Sequence, residues 1–314
     1  MNERMTSKNL GICGHCRVEE AKIRLNYARL SLCEGCFIKF IERKVARTVN
    51  EYHMIEKQDR ILVAISGGKD SAALLHLIRR IIPDIEVTCL HIDLGIKGFS
   101  DVCRQKAEEL AKYENVKLTT VSLEDFMGYR LDELVTKRRR ICSLCGLVRR
   151  YLLNYYGLAY GATKIATGHN LDDAVAILWD FYVRGDLLEA LKFQPVTKFV
   201  HPKAIPRIKP LIELTDFELK LYADVKSLPY TLTRCPFGRE SKLNRRKKLI
   251  ETIELMYPAF RHTFLKSHVK RVSPLLLSLT SRSSDWKSCL RCGMPSKGDL
   301  CGVCRVKESL NRLG

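Results

Sequence analysis

The stretch that most constrains the fold is an apolar run followed by a glycine turn and a helix, RILVAISGGKDSAALLHLIRRI at residues 60–81. Residues 61–65 are all apolar and mostly β-branched, which is typical of a strand buried on both faces of a parallel sheet. Glycines in the turn let backbone N–H groups approach an anion at the N-terminus of the next helix, where the helix dipole also favours negative charge. The stretch therefore predicts an anion-binding strand–turn–helix unit.

The glycine turn is not a Walker A loop. That motif is G-x-x-x-x-G-K-S/T, whereas Val63 occupies its first glycine position and Asp70 follows the lysine. A generic glycine turn is the alternative, but S-G-G-x-D-S directly after a strand is far more specific than a bare pair of glycines. It resembles the PP-loop of the ATP pyrophosphatases, which hold the pyrophosphate part of ATP and transfer AMP to an acceptor oxygen. The loop residues are Ser66, Gly67, Gly68, Lys69, Asp70 and Ser71.

Further strands follow at regular distances. Residues 86–93 (EVTCLHID), 116–122 and 164–167 are expected to be strands, with a helix over residues 102–112 between the first two. Strands that alternate with helices predict a doubly wound parallel α/β sheet. Ligands of such sheets bind beyond the carboxyl ends of the strands, where the glycine turn and the segment HIDLG, with His91 and Asp93, would both lie.

The fourth strand runs into TGHNLDD at residues 167–173. Asn170, followed by Leu and Asp, can be interpreted as a helix cap, since short polar side chains suit that position. The adjacent carboxylates of Asp172 and Asp173 also suit Mg2+, which binds through one or two carboxylates plus substrate phosphates. The residues alone favour neither interpretation.

Two four-Cys sets lie near the ends of the chain. The first has the spacing C-x2-C-x16-C-x2-C and the second has a shorter, eight-residue spacer, and both are zinc-site patterns. Four thiolates complete a tetrahedral shell, so the metal would be structural and would supply each small module with folding free energy on the order of 10 kcal/mol. An iron–sulfur cluster at either end is the alternative. The sets are Cys13, Cys16, Cys33 and Cys36, and Cys289, Cys292, Cys301 and Cys304.

These features predict three parts. Residues 1–36 form an N-terminal zinc module, residues 37–277 form the catalytic body, and residues 278–314 form a linker and a C-terminal zinc module. The body begins with a basic amphipathic helix over residues 37–57, whose apolar stripe indicates core packing, and the Ser-rich stretch 278–287 is the linker. The stripe consists of Phe37, Ile41, Val45 and Val49.

The composition indicates a soluble protein with a polyanionic partner. The net charge is +19, from 54 Lys plus Arg against 35 Asp plus Glu, and a basic surface that serves only solubility is the alternative. No apolar run reaches the roughly 18 residues of a membrane span, and the N-terminus has no apolar signal-peptide core. We therefore expect a cytoplasmic location, where thiols stay reduced and the cysteines bind metal rather than form disulfides.

A further cysteine pair lies in the most basic part of the chain, KRRRICSLCGLVRR at residues 137–150. Neighbouring cations lower the pKa of a thiol and favour the thiolate, which attacks electrophiles and binds metals. Cations also bind phosphates. The stretch by itself is compatible with either role, or with both.

Five motifs occur in a fixed order: SGGKDS, HIDLG, CSLCG, TGHNLDD and the lone cysteine of TRCPF. This order resembles the tRNA 2-thiouridine synthetases. Among them it is most similar to the branch that thiolates the T-loop uridine, whose members carry zinc modules at both ends. The resemblance covers nearly the whole chain, from Cys13 to Cys304.

The resemblance implies a [4Fe-4S] cluster with three cysteine ligands, whose fourth iron is free to hold a sulfide. The basic residues around the pair would then offset the negative charge of the cluster and place tRNA phosphates beside it. Two alternatives stay open: a persulfide resolved as a disulfide, and a third zinc site for which only three ligands are evident. The three cysteines are Cys142, Cys145 and Cys235.

The resemblance also implies the reaction. ATP would adenylate O2 of the uridine, which makes AMP the leaving group, and sulfide would then attack C2. Asp70 or Asp173 would contact Mg2+. Arg149 stands where the family often has lysine and would stabilise phosphate charge, and a general-acid role is doubtful for an arginine. The implied catalytic residues are Cys142, Cys145, Cys235, Asp70 and Arg149, and the implied nucleotide-site residues beyond the loop are His91, Asp93, Gly168, His169, Asp172 and Asp173.

The favoured substrate is tRNA uridine 54 in the T-loop, and the wobble uridine 34 is the main alternative. More distant alternatives are an amide-forming ATP pyrophosphatase, which would not need the three cysteines, and a non-catalytic RNA-binding zinc protein. The family suggests a ubiquitin-like protein ending in a thiocarboxylate as sulfur donor, with free sulfide as the alternative. It also suggests a homodimer.

Two basic runs, residues 206–210 and 239–248, flank the cysteine motifs and are expected to bind tRNA phosphates. Residues 214–230 are expected to form a helix with a Thr215–Glu218 capping box and to carry no chemistry. Cys89 and Cys103 are interpreted as core residues.

Overall fold

A computed structural model describes residues 10–134, 141–197, 201–238, 241–279 and 286–311. Within them the strands are β1 (Ile23–Leu25), β2 (Leu30–Leu32), β3 (Arg60–Ile65), β4 (Glu86–Asp93), β5 (Leu118–Ser122), β6 (Lys164–Ala166), β7 (Val196–Thr197), β8 (Arg207–Ile208), β9 (Lys287–Ser288) and β10 (Pro295–Ser296). The α-helices are α1 (Glu34–Glu51), α2 (Lys69–Ile81), α3 (Ser100–Tyr113), α4 (Leu123–Met127), α5 (Ile141–Ala159), α6 (Leu171–Val183), α7 (Leu187–Lys192), α8 (Asp216–Val225), α9 (Lys242–Met256), α10 (Phe260–Ser267), α11 (Ser273–Leu279) and α12 (Gly302–Asn311).

The central sheet has six strands in the order β5-β4-β3-β6-β8-β7, all parallel except β7, which is antiparallel to β8. The predicted doubly wound parallel sheet is confirmed, and the four predicted strands correspond to β3, β4, β5 and β6. From β3 the chain adds β4 and β5 on one side and then returns to place β6 on the other. The gap between β3 and β6 is therefore the switch point at which ligands of such sheets bind.

Helices cover both faces of the sheet. Ile61 and Val63 pack in one core with residues of α1, α2 and α8, whereas Leu62 packs in another core with Val148 and Leu152 of α5. Burial on both faces explains why residues 61–65 form a continuous apolar run.

Helix α1 starts earlier and ends earlier than the predicted range of residues 37–57. It begins at Glu34 because Cys33 is its N-cap, whose Sγ accepts a hydrogen bond from Cys36 N at 3.4 Å. It ends at Glu51 because His53 takes a left-handed conformation (φ 47°) and Met54 N donates to Val49 O at 2.9 Å, which is a common closing pattern at helix C-termini. The predicted stripe of Phe37, Ile41, Val45 and Val49 is buried, as expected.

Helix α8 has the predicted capping box. Thr215 Oγ1 accepts from Glu218 N at 3.1 Å, and Glu218 Oε2 accepts from Thr215 N at 2.7 Å. The helix ends at Val225, before Pro229 as predicted.

Small two-stranded sheets occur at both ends of the chain, β1 with β2 and β9 with β10. The division of the chain at residues 36 and 277 stays a prediction, and most of the predicted linker (280–285) lies outside the described residues. No helix in the described ranges is long and apolar enough to cross a membrane.

Candidate active site

The glycine turn joins the end of β3 to the start of α2. Gly67 has φ 81°, and a Cβ at this position would lie 2.5 Å from the carbonyl oxygen of Cys103, so the turn requires glycine there. Ser71 Oγ accepts from Ser66 N at 3.1 Å and donates to Gly68 O at 2.9 Å. The serine hydroxyls therefore hold the turn in shape.

Lys69 is held between two carboxylates. Its Nζ lies 2.7 Å from Asp70 Oδ1 and 2.7 Å from Asp216 Oδ1. Asn170 Nδ2 donates to both of these oxygens at 3.3 Å. Burial would lower the pKa of Lys69, but the two carboxylates outweigh it and raise the pKa. Burial likewise opposes ionisation of Asp216, but Lys69 outweighs it and lowers the pKa of Asp216. Both groups are therefore charged at neutral pH.

Asp216 is a site residue that the sequence analysis missed, since residues 214–230 were expected to carry no chemistry. It is the first residue of α8. Strand β8 lies beside β6, and the chain after β8 therefore returns to the edge of the sheet that carries the glycine turn. The capping box predicts where the helix begins, but no sequence signal indicates which neighbours its first turn meets.

The TGHNLDD segment caps α6. Asn170 Oδ1 accepts from Asp173 N at 3.0 Å and Asp173 Oδ2 accepts from Asn170 N at 3.3 Å, so the helix-cap interpretation is confirmed. Asp173 Oδ1 also lies 2.5 Å from Lys247 Nζ. Asp172 pairs with Arg261 at 2.9 Å and accepts from Asp216 N at 2.8 Å. These carboxylates are of the type that Mg2+ prefers, but in this structure their charges are neutralised by side chains of the chain itself.

The other predicted nucleotide-site residues lie at the same edge of the sheet. Gly168 packs on the loop, because a Cβ there would lie 3.2 Å from the carbonyl carbon of Asp70. His91 is buried, and its Nδ1 lies 2.9 Å from Ile65 O; burial lowers its pKa, so the ring is neutral. Asp93 accepts from Gly95 N at 2.8 Å, and His169 Nδ1 lies 2.9 Å from Thr167 Oγ1. Contacts of these side chains with a nucleotide stay predictions.

A cleft opens at the carboxyl ends of β3 and β4. Its lining is mostly apolar and includes one cation, Arg149 of α5. The Arg149 Nε atom is buried and has no hydrogen-bond partner among the described residues. An apolar wall with a guanidinium whose Nε has no partner among the described residues suits a ligand that combines a flat base with negative charge. The lining residues are Ala64, Ile65, Ser66, Leu90, Ile92, Arg149 and Leu153.

The three cysteines assigned to a cluster come together. Cys142 and Cys145 lie in the first turns of α5, and Cys142 Sγ donates to Phe237 O, two residues after Cys235, at 3.6 Å. Burial raises the pKa of Cys142, and the charges of Cys145 and Cys235 raise it further. The lowered pKa that the basic stretch predicts stays a prediction. Four of the cations in that stretch, residues 137–140, lie outside the described residues.

The third cysteine is tied to the glycine turn. Thr231 N donates to Gly67 O at 2.9 Å, four residues before Cys235. On its other side, Asn244 Nδ2 of α9 donates to Gly238 O at 2.8 Å. Cys103, interpreted as a core residue, is buried, and burial raises its pKa to about 11. Cys103 and the loop bearing Cys235 therefore both lie against the glycine turn.

The two terminal cysteine sets have the geometry of single metal sites. Within each set the four Sγ atoms lie within 4.8 Å of one another. The Sγ atoms of Cys16 and Cys33 are 4.0 Å apart, and those of Cys292 and Cys301 are 3.7 Å apart. A tetrahedral zinc with Zn–S bonds of about 2.3 Å requires S–S separations of about 3.8 Å. Among the described residues only these two sets are so compact, and Cys142, Cys145 and Cys235 are more widely spaced than one zinc ion requires.

The structure divides the two basic runs into internal and exposed cations. Lys209 is buried and donates to Gln194 O at 2.6 Å and Thr197 Oγ1 at 2.9 Å, so the expectation that it binds tRNA is wrong. Burial lowers the pKa of Lys209 to about 8. In α9, Arg246 pairs with Asp180 at 2.5 Å and Lys247 pairs with Asp173. Residues 239–240 lie outside the described residues, and the exposed cations of the second run are Lys242, Arg245 and Lys248.

Comparisons with known proteins agree with this arrangement. A family profile described as a PP-loop domain matches residues 39–235. The tRNA-5-methyluridine(54) 2-sulfurtransferase of Pyrococcus horikoshii is 35% identical over 302 residues, which are 95% of this chain and 95% of that relative. The relative of the same name from Thermotoga maritima is 29% identical and covers 96% of this chain and 97% of its own.

A solved structure is similar over the same length. The U34-tRNA thiolase NcsA from Methanococcus maripaludis, with its [4Fe-4S] cluster, matches with a TM-score of 0.80 and 26% identity over 95% of this chain and 96% of its own. The motifs, the sheet and these relatives together assign the chain, which belongs to the PP-loop tRNA 2-sulfurtransferases.

Proposed function

We propose that this enzyme uses ATP to replace O2 of uridine 54 in the T-loop of tRNA with sulfur. The main support for the proposal is that the PP-loop and the cysteine site are in direct contact. Thr231, four residues before Cys235, donates its N–H to Gly67 O of the loop. The names of the Pyrococcus horikoshii and Thermotoga maritima relatives support uridine 54 as the target.

The residues at the switch point suit ATP. The N–H groups of the glycine turn and the N-terminus of α2 would bind the phosphates that leave as pyrophosphate, and Lys69 would balance their charge. The apolar cleft beside Arg149 would hold the adenosine part. Asp70 or Asp173 would contact Mg2+, and Asp173 would have to release Lys247 to do so.

The first step would be adenylation. Uridine O2 would attack the α-phosphorus, a new O–P bond would form, and the bond to pyrophosphate would break. Arg149 is permanently cationic, so it would stabilise charge at this phosphorus rather than donate a proton. When sulfide attacks C2, a C2–S bond would form and the C2–O2 bond would break, so AMP would leave with the original O2.

Cys142, Cys145 and Cys235 would hold a [4Fe-4S] cluster, which supplies an iron that is open to sulfide. One observation supports this assignment over a single zinc ion: among the described residues these three thiols do not form a group as compact as the terminal sets. The Methanococcus maripaludis relative carries such a cluster. A ubiquitin-like thiocarboxylate protein or free sulfide as donor, and a homodimer, stay expectations.

The exposed cations of α9 would bind tRNA phosphates. Lys242, Arg245 and Lys248 follow Cys235 in the chain, and α9 is fixed to α6 by the ion pairs of Arg246 and Lys247. Because Asn244 of α9 donates to Gly238 O, three residues after Cys235, these cations would bring the tRNA backbone towards the sulfur. Binding should therefore weaken strongly as salt concentration rises.

We expect the purified chain to contain two zinc ions, one in each terminal module. Cys33→Ser should reduce the zinc content to one ion, because a ligand is lost, and should keep the N-cap of α1, because serine is a good N-cap. Elemental analysis and circular dichroism measure the two effects. Cys89→Ala is the matched control and should retain both ions, since Cys89 lies in β4 away from either set. Unchanged zinc content in Cys33→Ser would contradict the assignment.

Anaerobic incubation of cluster-reconstituted protein with unmodified tRNA, ATP, Mg2+ and sulfide tests the function. We expect oxygen-to-sulfur exchange in the T-loop fragment after nuclease digestion, measured by mass spectrometry. Sulfur in the anticodon fragment would move the target to uridine 34, the base for which the Methanococcus maripaludis relative is named. Formation of AMP without thiolation, with both donors supplied in turn, would contradict the proposal and favour an amide-forming reaction.

A further inference from the structure

A buried polar network lies behind the nucleotide site and has no role in the reaction described above. Its centre is Glu218 of α8, which is fully buried, and Lys44 of α1, which is 7% exposed. Lys44 Nζ lies 3.0 Å from Glu218 Oε1 and 3.3 Å from Oε2. Tyr27 OH donates to Glu218 Oε1 at 2.5 Å and accepts from Lys44 Nζ at 2.8 Å.

The members of the network come from separate parts of the chain. Tyr27 lies in the turn between β1 and β2 of the N-terminal module, and the ring of His262 from α10 stacks on it at 4.2 Å. Lys44 Nζ lies 3.3 Å from His262 Nε2. Burial lowers the pKa of His262 to about 4, so the neutral ring accepts a hydrogen bond from the ammonium. The network therefore joins the cysteine module to α1, α8 and α10.

The charge states are fixed by the same contacts. Burial, and then the negative charge of Glu218, raises the pKa of Tyr27 far above its usual range, so the phenol keeps its proton. Burial opposes ionisation of Glu218, but Lys44 outweighs it and lowers the pKa. Tyr27 is therefore a neutral donor and Glu218 an ionised acceptor at neutral pH.

Stability alone does not explain such a network. Removing two charges from water costs several kcal/mol per ion, and well-packed apolar residues often replace a buried ion pair without loss of stability. What a buried hydrogen-bonded network adds is a single fixed geometry.

Two separate sets of contacts connect the network to Asp216. Glu218 Oε2 accepts from Thr215 N at 2.7 Å and from Thr215 Oγ1 at 3.0 Å, which fixes the residue just before Asp216. On the other side, Arg261 is adjacent to His262 and pairs with Asp172, whose second oxygen accepts from Asp216 N at 2.8 Å. The side chain of Asp216 in turn holds Lys69 of the glycine turn.

We propose that Tyr27, Lys44 and Glu218 are positioning residues that fix Asp216, and through it Lys69, in the orientation that binds the phosphates of ATP. The N-terminal module then sets the nucleotide affinity of a site that it does not touch. The inference rests on the proposed function in one respect, since it takes ATP as the ligand of the glycine turn.

Tyr27→Phe tests the inference because it removes one hydroxyl and leaves the ring in place. We expect the Kd for ATP, measured by calorimetry on the full chain, to rise about fivefold or more, with the rate at saturating ATP unchanged. In an Asp216→Asn background Tyr27→Phe should not raise the Kd for ATP further, because Tyr27 acts through the Asp216 carboxylate, which this background lacks. Tyr230→Phe is the matched control: Tyr230 OH donates to Asp224 at 2.5 Å near the other end of α8, and its loss should leave the Kd unchanged.

Amide hydrogen exchange in nucleotide-free protein gives a readout that does not depend on ATP. Residues 66–71 and 215–219 should exchange faster in Tyr27→Phe and at the wild-type rate in Tyr230→Phe. A lower Tm with unchanged exchange and unchanged Kd would mean a merely structural role and overturn the inference. Additive effects of Tyr27→Phe and Asp216→Asn on the Kd for ATP would also overturn the inference. A wild-type protein that binds no ATP would overturn the proposed function, whereas the exchange rates would still decide the inference.

Discussion

Replacing Cys235 with alanine is expected to abolish thiolation and iron binding while ATP binding persists. Cys142 and Cys145 come from one helix, whereas Cys235 comes from a separate segment, whose Phe237 O accepts from Cys142 Sγ. Two thiolates on one side cannot hold a four-iron cluster, so we expect thiolation to fall by more than about a hundredfold, beyond the usual cost of losing outer-shell support. Iron content, visible absorption and mass spectrometry of the tRNA measure this loss, and calorimetry measures ATP binding.

Cys89→Ala is the control for the loss of any buried thiol. Cys89 is 1% exposed in β4, and burial raises its pKa to about 12, so it is an inert core thiol. Its removal should cost about 1 kcal/mol of stability and leave iron binding intact. If wild-type protein thiolates tRNA without iron and Cys235→Ala does not, the persulfide alternative is correct. Iron and activity retained in Cys235→Ala would remove Cys235 from the mechanism altogether.

The central part of the fold is predictable because its signals are local. An apolar run next to a glycine turn identifies β3 and α2, and the apolar spacing identifies β4, β5 and β6. Strands β7 and β8 are only two residues long, too short for a periodic pattern, and β8 lies in a segment that looks like a basic loop. The start of α1 is missed because a cysteine, which is not a usual N-cap, takes that role within a metal-binding pattern.

Side-chain neighbours are less predictable than elements, since they depend on the order of strands in the sheet. The motifs identify Lys69 and Asp70, but Asp216 reaches them only because β8 lies next to β6. Which cations pair with acids and which stay exposed is equally hard to predict from the sequence. The run 239–248 has six cations and one acid, yet Arg246 and Lys247 turn inward to acids of α6 whereas Lys242 and Arg245 face solvent. Helical periodicity indicates that such a run has two faces, but it does not indicate which face meets acids.

Replacing Gly67 with alanine is expected to eliminate measurable ATP binding. The residue has φ 81°, and a Cβ there would lie 2.5 Å from the carbonyl oxygen of Cys103 and 2.7 Å from its Cα. A left-handed conformation costs alanine roughly 1–2 kcal/mol, and both clashing atoms belong to backbone, so the turn itself has to move. A displacement near 1 Å at a binding site lowers function by about a hundredfold. Calorimetry with ATP, with the Tm recorded in parallel, measures the effect.

Gly68→Ala separates this effect from the loss of any glycine in the turn. Gly68 is the N-cap of α2 with φ −91°, and a Cβ there would meet only Ser66 Oγ, at 3.5 Å, which is an ordinary contact. This variant should change stability by no more than about 1 kcal/mol and keep most of the ATP affinity. Equal affinities in Gly67→Ala and wild type would show that the turn geometry does not hold the phosphates. Because Gly67 O also accepts from Thr231 N, Gly67→Ala should in addition slow cross-linking between Cys142 and Cys235, whereas Gly68→Ala should not. A displaced turn would then disturb the nucleotide site and the thiol site together, as their shared hydrogen bond predicts.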